Sequence, residues 1–431
     1  MADEETRPAA LRPLGAEERT RRRLAVIGGG LVGLATAWAA AQIGGDQIEV
    51  DLYEAVAIAH EGGASVDVTR VFRHAYEDRA YYSRWTAEAL GLWRHLESQS
   101  ERRLYLRTGG VWAAHATDQT ATSSGLEQPY SPEAASRSLE LSFKTMREVG
   151  LPCEMLNSYE LRRRYPQFAD PTLAKALLDR EAGMLFARDA LLAFRDVARR
   201  FGARMHEGRR AVEVRPSAGG CGVSFADGSS IEADVVVLAA NAWTDRLLPE
   251  LASRVGSPAG PDGAPARALQ VTEQPLFYFL PAPSAAEEFE PGRFPVFLFV
   301  NTRVYGLPAY LGAVKAANND PARLLDDPGE RRLADSVYQE QLYSFLVRQF
   351  PGLRNAALLQ ERVCYYDRSP DEDFLLDQWD PEARLIVACG FSGHGFKFGP
   401  LLGARLARYA LSGRCPADLH PFSLARFQHA V

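Results

Sequence analysis

The sequence predicts an α/β protein: a Rossmann-like dinucleotide-binding domain assembled from discontinuous segments, joined to an α+β substrate domain with a largely antiparallel sheet. Three observations predict it. The apolar run Leu24-Ala25-Val26-Ile27 feeds Gly28-Gly29-Gly30-Leu31-Val32-Gly33, then an alanine-rich helical stretch and a second strand ending at Glu54. Two further apolar runs, residues 235–240 and 385–388, read as strands covered on both faces, as a parallel sheet between helices requires. Residues 272–316 break into successive short strands at 275–280, 295–300, 304–311 and 313–316, the mark of a separate antiparallel sheet.

The first unit reads as βαβ. Gly28 suits a tight turn, Gly30 a close approach to pyrophosphate and Gly33 close helix–strand packing, and Glu54, about twenty residues on, can accept hydrogen bonds from a ribose. Next come a helix over 81–96, a strand over 103–114 and a polar, irregular stretch over 115–142. Helical patterns recur at 132–149 and 189–201. Residues 212–214 and 222–225 alternate like a hairpin across Gly219-Gly220, and the Gly/Pro-rich segment 256–265 is a loop. After the strand at 385–388 comes Gly390-Phe391-Ser392-Gly393-His394-Gly395-Phe396-Lys397-Phe398, leading into a helix that begins near Pro400. That helix start is expected to offer free backbone N–H groups and a positive dipole end to an anionic cofactor oxygen. The nucleotide domain is therefore assigned to residues 23–76, 181–248 and 358–431, and the substrate domain to 77–180 and 249–357.

At 431 residues and 46% hydrophobic, the chain can bury a large core. A formal charge of −6 argues against nucleic acid or an anionic membrane as partner and favours a small molecule. No apolar run reaches the length that spans a bilayer, no signal-peptide core is present, and residues 1–22 read as a solvated, disordered tail. Cys153, Cys221, Cys364, Cys389 and Cys415 are odd in number and show no metal-ligand spacing, which fits a reducing cytoplasm and no metal site.

Taken together, Gly28 to Gly33 with Glu54, Arg70-Val71-Phe72-Arg73-His74-Ala75-Tyr76, Val304-Tyr305-Gly306-Leu307-Pro308, Cys364-Tyr365-Tyr366 and Gly390 to Phe398 resemble the monomeric sarcosine oxidase and N-methyltryptophan oxidase family. That family lies within the D-amino-acid-oxidase-like flavoproteins, and the resemblance spans nearly the whole chain from Leu24. It implies FAD, joined through the sulfur of Cys364 to the 8α-methyl of the ring. Thr69, Arg70, Gly390, Gly393, His394, Gly395 and Lys397 would lie around the flavin. Arg73 and Lys397 resemble the pair that holds a substrate carboxylate, Arg70 the arginine beside the ring, Lys315 the lysine that activates oxygen, and Tyr305 an active-site tyrosine near the substrate amine. For each residue a structural role is also open: a core thiol for Cys364, ion pairs for the arginines, a strand lysine for Lys315, a core aromatic for Tyr305.

The resemblance implies an amine oxidase that converts the C–N bond of a secondary or cyclic amino acid to an imine and passes the electrons to O2. The family favours a monomer. A flavin dehydrogenase or desaturase of specialised metabolism and a non-catalytic flavin-binding protein are the competing readings; a nicotinamide enzyme would explain only the N-terminus. The chain departs from the family at Asn319, where a histidine is usual, and over Ser65-Val66-Asp67-Val68-Thr69, which lacks the usual glycine and histidine. It also departs at Asn241, where glycine is common and where asparagine tolerates left-handed backbone.

Overall fold

The computed structural model describes residues 7–15, 18, 22–117, 126, 129–257, 266–319, 323–330, 335–382 and 384–427. The chain opens with β1 (Arg23–Ile27), α1 (Leu31–Gly44), β2 (Glu49–Tyr53) and β3 (Thr69–Phe72), followed by α2 (Ala80–Ser100), β4 (Tyr105–Arg107) and β5 (Gly110–His115). Next are α3 (Pro132–Glu148), β6 (Cys153–Asn157), α4 (Ser158–Arg164), β7 (Leu173–Asp179), β8 (Gly183–Phe186), α5 (Ala187–Arg200) and β9 (Arg204–His206). The middle holds β10 (Ala211–Ser217), β11 (Gly220–Phe225), β12 (Ser230–Ala233), β13 (Val235–Leu238), α6 (Thr244–Leu247), α7 (Leu251–Arg254) and β14 (Gln270–Leu280). It closes with β15 (Val296–Phe299), β16 (Val304–Tyr310), β17 (Ala313–Asn318), α8 (Ser336–Gln349), β18 (Ala357–Arg368), β19 (Leu375–Gln378), β20 (Leu385–Cys389) and α9 (Gly399–Ser412).

One sheet runs β19-β20-β13-β1-β2-β9 and is parallel except for its β19–β20 pair. The apolar strands β1, β13 and β20 are central because they can be covered on both faces. Helix α1 is buried along its whole length, packed among α5, α9 and the sheet, so its alanines pack on every side where a surface helix would alternate with polar residues. The second large sheet runs β18-β14-β17-β16-β15-β5-β7-β6 and is antiparallel apart from β15–β5. One face of it packs on α8 through a phenylalanine-rich core that includes Phe277, Phe297, Phe299, Phe345 and Phe350. A small sheet, β3-β8-β4, is antiparallel in both of its pairs.

The structure corrects the sequence reading at four places. Residues 7–15 are not a solvated tail: Leu11 and Leu14 are buried, and Arg408 of α9 donates to the carbonyls of Ala9, Ala10 and Arg12. The strand expected over 103–114 is two strands in different sheets, because Gly109 adopts a φ of 71° and turns the chain. Helix α2, assigned to the substrate domain, buries Tyr82, Trp85, Trp93 and Leu96 in the core shared by α1, α5 and α9. Strand β18, assigned to the nucleotide domain from residue 358, pairs along its length with β14 in the eight-stranded sheet. The segment 256–265 lies almost wholly outside the described residues, as do residues 118–125 of the polar stretch.

Candidate active site

One cavity is walled by the start of α1, the chain around β3, strands β16 and β17, and the turn after β20. Of the residues singled out from the sequence, Gly30, Arg70, Arg73, Tyr305, Lys315, Gly393, His394, Gly395 and Lys397 line it, while Gly28, Gly33, Glu54, Thr69, Cys364 and Gly390 stand outside its lining. These come from positions more than 300 residues apart, so the tertiary fold alone brings them together.

The nucleotide end is built by close backbone approach. Gly28 has a φ of 111°, and a Cβ there would lie 2.4 Å from the Ala239 carbonyl oxygen; a Cβ on Gly33 would lie 1.9 Å from the Gly28 oxygen. Glu54 is buried, and its carboxylate accepts from the N–H groups of Gly29 at 2.7 Å and Val56 at 3.0 Å. Ser65 Oγ accepts from Leu31 N at 3.0 Å, placing a hydroxyl at the first turn of α1. Asn241 adopts a φ of 52°, the left-handed backbone that asparagine tolerates. A helix N-terminus whose glycines lie against backbone at Gly28 and Gly33 and against Ser65 at Gly30, opening into the cavity, fits the pyrophosphate and ribose of FAD.

Beyond it stand two groups of cations. In the first, the guanidinium of Arg70 pairs with Asp67, donates to the carbonyls of Ala64 at 2.9 Å and Val66 at 3.3 Å, and lies 3.6 Å from Cys364 Sγ. Lys315 Nζ pairs with the same Asp67 oxygen and donates to the Thr69 carbonyl at 2.9 Å. Burial alone would raise the Asp67 pKa, but the charges of Lys315 and Arg70 outweigh it and hold the carboxyl far below the usual range. Burial pulls Lys315 below the ordinary ammonium range, with Asp67 opposing the fall.

In the second group, Lys397 Nζ donates to Tyr76 Oη at 3.0 Å and to the His394 carbonyl at 2.7 Å, and Arg73 lies over the Tyr76 ring while donating to the Ala75 carbonyl. Among the described residues neither cation makes a salt bridge. Burial, then the nearby Arg73 charge, push Lys397 well below the usual ammonium range. Burial and Lys397 likewise depress His394, whose ring nitrogens meet Tyr76 Oη at 3.3 Å and the Glu372 carbonyl at 3.2 Å. A buried lysine and a half-buried arginine without a counter-charge among the described residues form a site for an anion, and a carboxylate matches it.

The turn after β20 is tied down from within the protein. The N–H groups of Gly390 and Phe391 are not free for a cofactor: they donate to Asp367 Oδ2 at 2.7 and 3.2 Å, and Ser392 N donates to the Asp367 carbonyl at 3.1 Å. Asp367 lines the cavity, and burial raises its carboxyl to about 7. Gly393 has a φ of 76°, and a Cβ there would lie 2.4 Å from the Tyr366 ring, so the turn passes directly over that tyrosine. Tyr305 and Tyr366 share a hydrogen bond in the cavity wall, and burial raises both phenols. Asn319 also lines the cavity, its carbonyl accepting from Arg368 at 3.1 Å. Phe297 and Phe299 belong to the phenylalanine core of the eight-stranded sheet, and Phe297 also lines the cavity.

Sequence reasoning passed over Asp67, Tyr76 and Asp367 as site residues. Asp67 carried one signal, a lone acid between two valines just before a strand, where a charge must find partners. Among the described residues no three or more His, Cys, Asp or Glu side chains gather as a metal site, and no helix is long and apolar enough to cross a membrane.

A family model described as FAD dependent oxidoreductase (DAO) matches residues 23–409. N-methyl-L-tryptophan oxidase of Yersinia pestis (strain Pestoides F) is 28% identical over 410 residues, covering 94% of this chain and 99% of the relative. Among solved structures, L-proline dehydrogenase from P. horikoshii superposes with a TM-score of 0.75 at 19% identity, over 95% of this chain and 98% of that one. NikD, described as an unusual amino acid oxidase essential for nikkomycin biosynthesis, superposes with a TM-score of 0.73 at 24% identity, over 93% and 97%. At these identities the structural likenesses show the fold.

Proposed function

The chain belongs to the FAD dependent oxidoreductase (DAO) family, and from that premise we propose that it oxidises the C–N bond of a secondary or cyclic amino acid, or a related amine, to an imine while O2 is reduced to H2O2. The observation that carries this reading is the pair Arg73 and Lys397, which make no salt bridge among the described residues, in the same cavity as Lys315 and Arg70. Bound FAD supplies a two-electron acceptor that a protein side chain cannot replace. Gly28, Gly30, Gly33, Glu54 and Ser65 would hold its nucleotide half, and Arg70, Tyr366 and the turn at Gly393 would surround its ring.

Arg73 and Lys397 bind the substrate carboxylate, and the fork of Arg73 suits two oxygens at once. Tyr76 spaces the two cations, its ring under one and its hydroxyl bound to the other. Held this way, the amine end of the substrate points away from the anion site into the cavity, where Tyr305 and Tyr366 offer phenol groups that remain protonated. The packed aromatic turn around Phe391 and Phe398 limits water. Lys315 supplies positive charge for oxygen reduction.

Cys364 is the attachment point for the flavin in this reading, supported by its place beside Arg70 and next to Tyr365 and Tyr366 of the cavity wall. Five free cysteines with no disulfide among them support a reducing, cytoplasmic setting. A panel of N-alkyl and cyclic amino acids assayed for peroxide tests the activity: one peroxide per amine consumed is expected, and oxidation without peroxide would assign a different electron acceptor. Acid precipitation tests the linkage. Yellow colour should stay in the pellet of the native protein and move to the supernatant with Cys364→Ser.

A further inference from the structure

Lys315 on β17 sits directly across from Tyr278 on β14, and both side chains reach the carboxylate of Asp67, which hangs from the loop before β3. Asp67 is 2% exposed and fully engaged: one oxygen takes Lys315 Nζ and Arg70 Nη1, the other takes the Tyr278 hydroxyl and the N–H of Val68 at 2.7 Å. The loop is itself fixed, since the Val68 carbonyl accepts from Ala187 N at 3.2 Å. Lys315, also 2% exposed, spends two of its three N–H bonds on Asp67 and the Thr69 carbonyl, its third has no partner among the described residues, and the side chain lines the cavity.

We propose that Asp67 is a positioning residue for oxygen reduction: it keeps the Lys315 ammonium protonated and tethered inside the protein wall, with one N–H directed to the cavity. The inference rests on the oxidase reading above. An ammonium buried beside a guanidinium is disfavoured twice, by lost hydration and by repulsion, and sheds its proton unless a carboxylate touches it. The groups facing Lys315 are Asp67 from the loop, Arg70 from β3, Tyr278 from β14 and Cys364 from β18, and Asp67 is the anion among them. Two cations and one carboxylate leave a net charge of one positive. Reduction of O2 to H2O2 takes two electrons and two protons, the electrons coming from the reduced flavin, and the first electron turns a neutral molecule into an anion. A preorganised ammonium is worth most at that moment.

The test uses holoprotein reduced anaerobically with dithionite and then mixed with O2, with flavin absorbance followed across pH. The native protein should reoxidise at a rate that is flat through neutral pH, where the Asp67 carboxylate keeps the ammonium charged, and that falls only as pH rises toward the lowered Lys315 value. Asp67→Asn should slow reoxidation at neutral pH by about 10- to 100-fold, recover on the acid side, and be partly rescued by Asp67→Glu. Lys315→Met should be equally slow, and the double variant no slower than Lys315→Met. A second readout is the midpoint potential of the flavin. It should be nearly unchanged in Asp67→Asn, because losing the carboxylate charge and the ammonium charge together leaves the same net charge on Arg70.

Reoxidation of Asp67→Asn at the native rate and pH profile would overturn the proposal, as would a raised potential or multiplicative effects in the double variant. If Asp67→Asn does not fold, the native profile decides: a rate falling through neutral pH would mean that Asp67 does not hold the proton on Lys315. A native protein whose reduced flavin O2 does not reoxidise overturns the oxidase reading itself, an outcome distinct from native reoxidation that the Asp67 variants leave untouched.

Discussion

Lys397 donates a 3.0 Å hydrogen bond to the phenol oxygen of Tyr76, and the ring of that tyrosine lies 4.2 Å beneath the guanidinium carbon of Arg73. One aromatic side chain thus sets the separation of the two cations that face the cavity. Tyr76→Phe keeps the ring and removes the acceptor for Lys397. The KM for carboxylate-bearing substrates should rise about 10-fold, the loss of one hydrogen bond to a charged group, with kcat changed little. An amide analogue of the same substrate should show no difference between the two proteins.

Binding of a carboxylate to this site should draw in a proton. Burial and Arg73 depress Lys397 in the free protein, so the neutral amine gains ground as pH rises, while an anionic ligand favours the protonated form. Affinity for a carboxylate inhibitor should therefore be greatest on the acid side and decline as pH rises through the depressed value. Calorimetry in buffers of different ionisation enthalpy should find net proton uptake on the rising side; proton release there would contradict the assignment.

Gly28 admits no side chain. With a φ of 111° and the Ala239 carbonyl oxygen only 2.4 Å from where a Cβ would stand, Gly28→Ala must displace either the turn or the strand beside it. The variant should lose about 2 kcal/mol or more in stability and be isolated with little flavin. A purified Gly28→Ala protein with a full complement of flavin and native melting temperature would remove the close-packing argument for the nucleotide end.

His115 stands outside the cavity lining and should set part of the acid sensitivity. Burial lowers its pKa from 6.5 to about 4, against the partial support of Asp170. Its Nδ1 meets Thr172 Oγ1 at 2.9 Å. The unfolded chain takes up this proton near pH 6.5 and the folded chain only near 4, so stability is present above the unfolded value and is lost as pH falls between the two. The loss is up to about 3 kcal/mol. Melting temperature should fall across that window, and His115→Gln should flatten the fall.

Much of the fold was legible because its signals are local. The glycines at 28, 30 and 33, the apolar runs that became β13 and β20, and the short strands from β14 to β17 each carry their own pattern of turns and periodicity. Arg73 and Lys397 were legible through motif resemblance, and the cavity brings them to one tyrosine. Other features escaped. A glycine at 109 split one expected strand between two sheets, and α2 and β18 packed with the domain opposite to the one assigned, since contiguity along the chain says little about which sheet edge or core a segment will reach. The capture of the Gly390 and Phe391 N–H groups by Asp367, a residue more than twenty positions away, carries no local signal.

By itself the sequence determined the kind of protein, a βαβ nucleotide unit with an antiparallel companion sheet, while the cationic residues at 70, 73, 315 and 397 stood out through resemblance. Such information resides in neighbouring residues and survives without coordinates. Only the tertiary structure decided which charges are answered. Asp67 meets Tyr278 and Lys315 across 211 and 248 positions of chain, whereas Arg73 and Lys397 meet a phenol and backbone carbonyls. The energy of a buried charge depends on what touches it, and contacts between side chains so far apart in sequence exist only once the strands carrying them have paired.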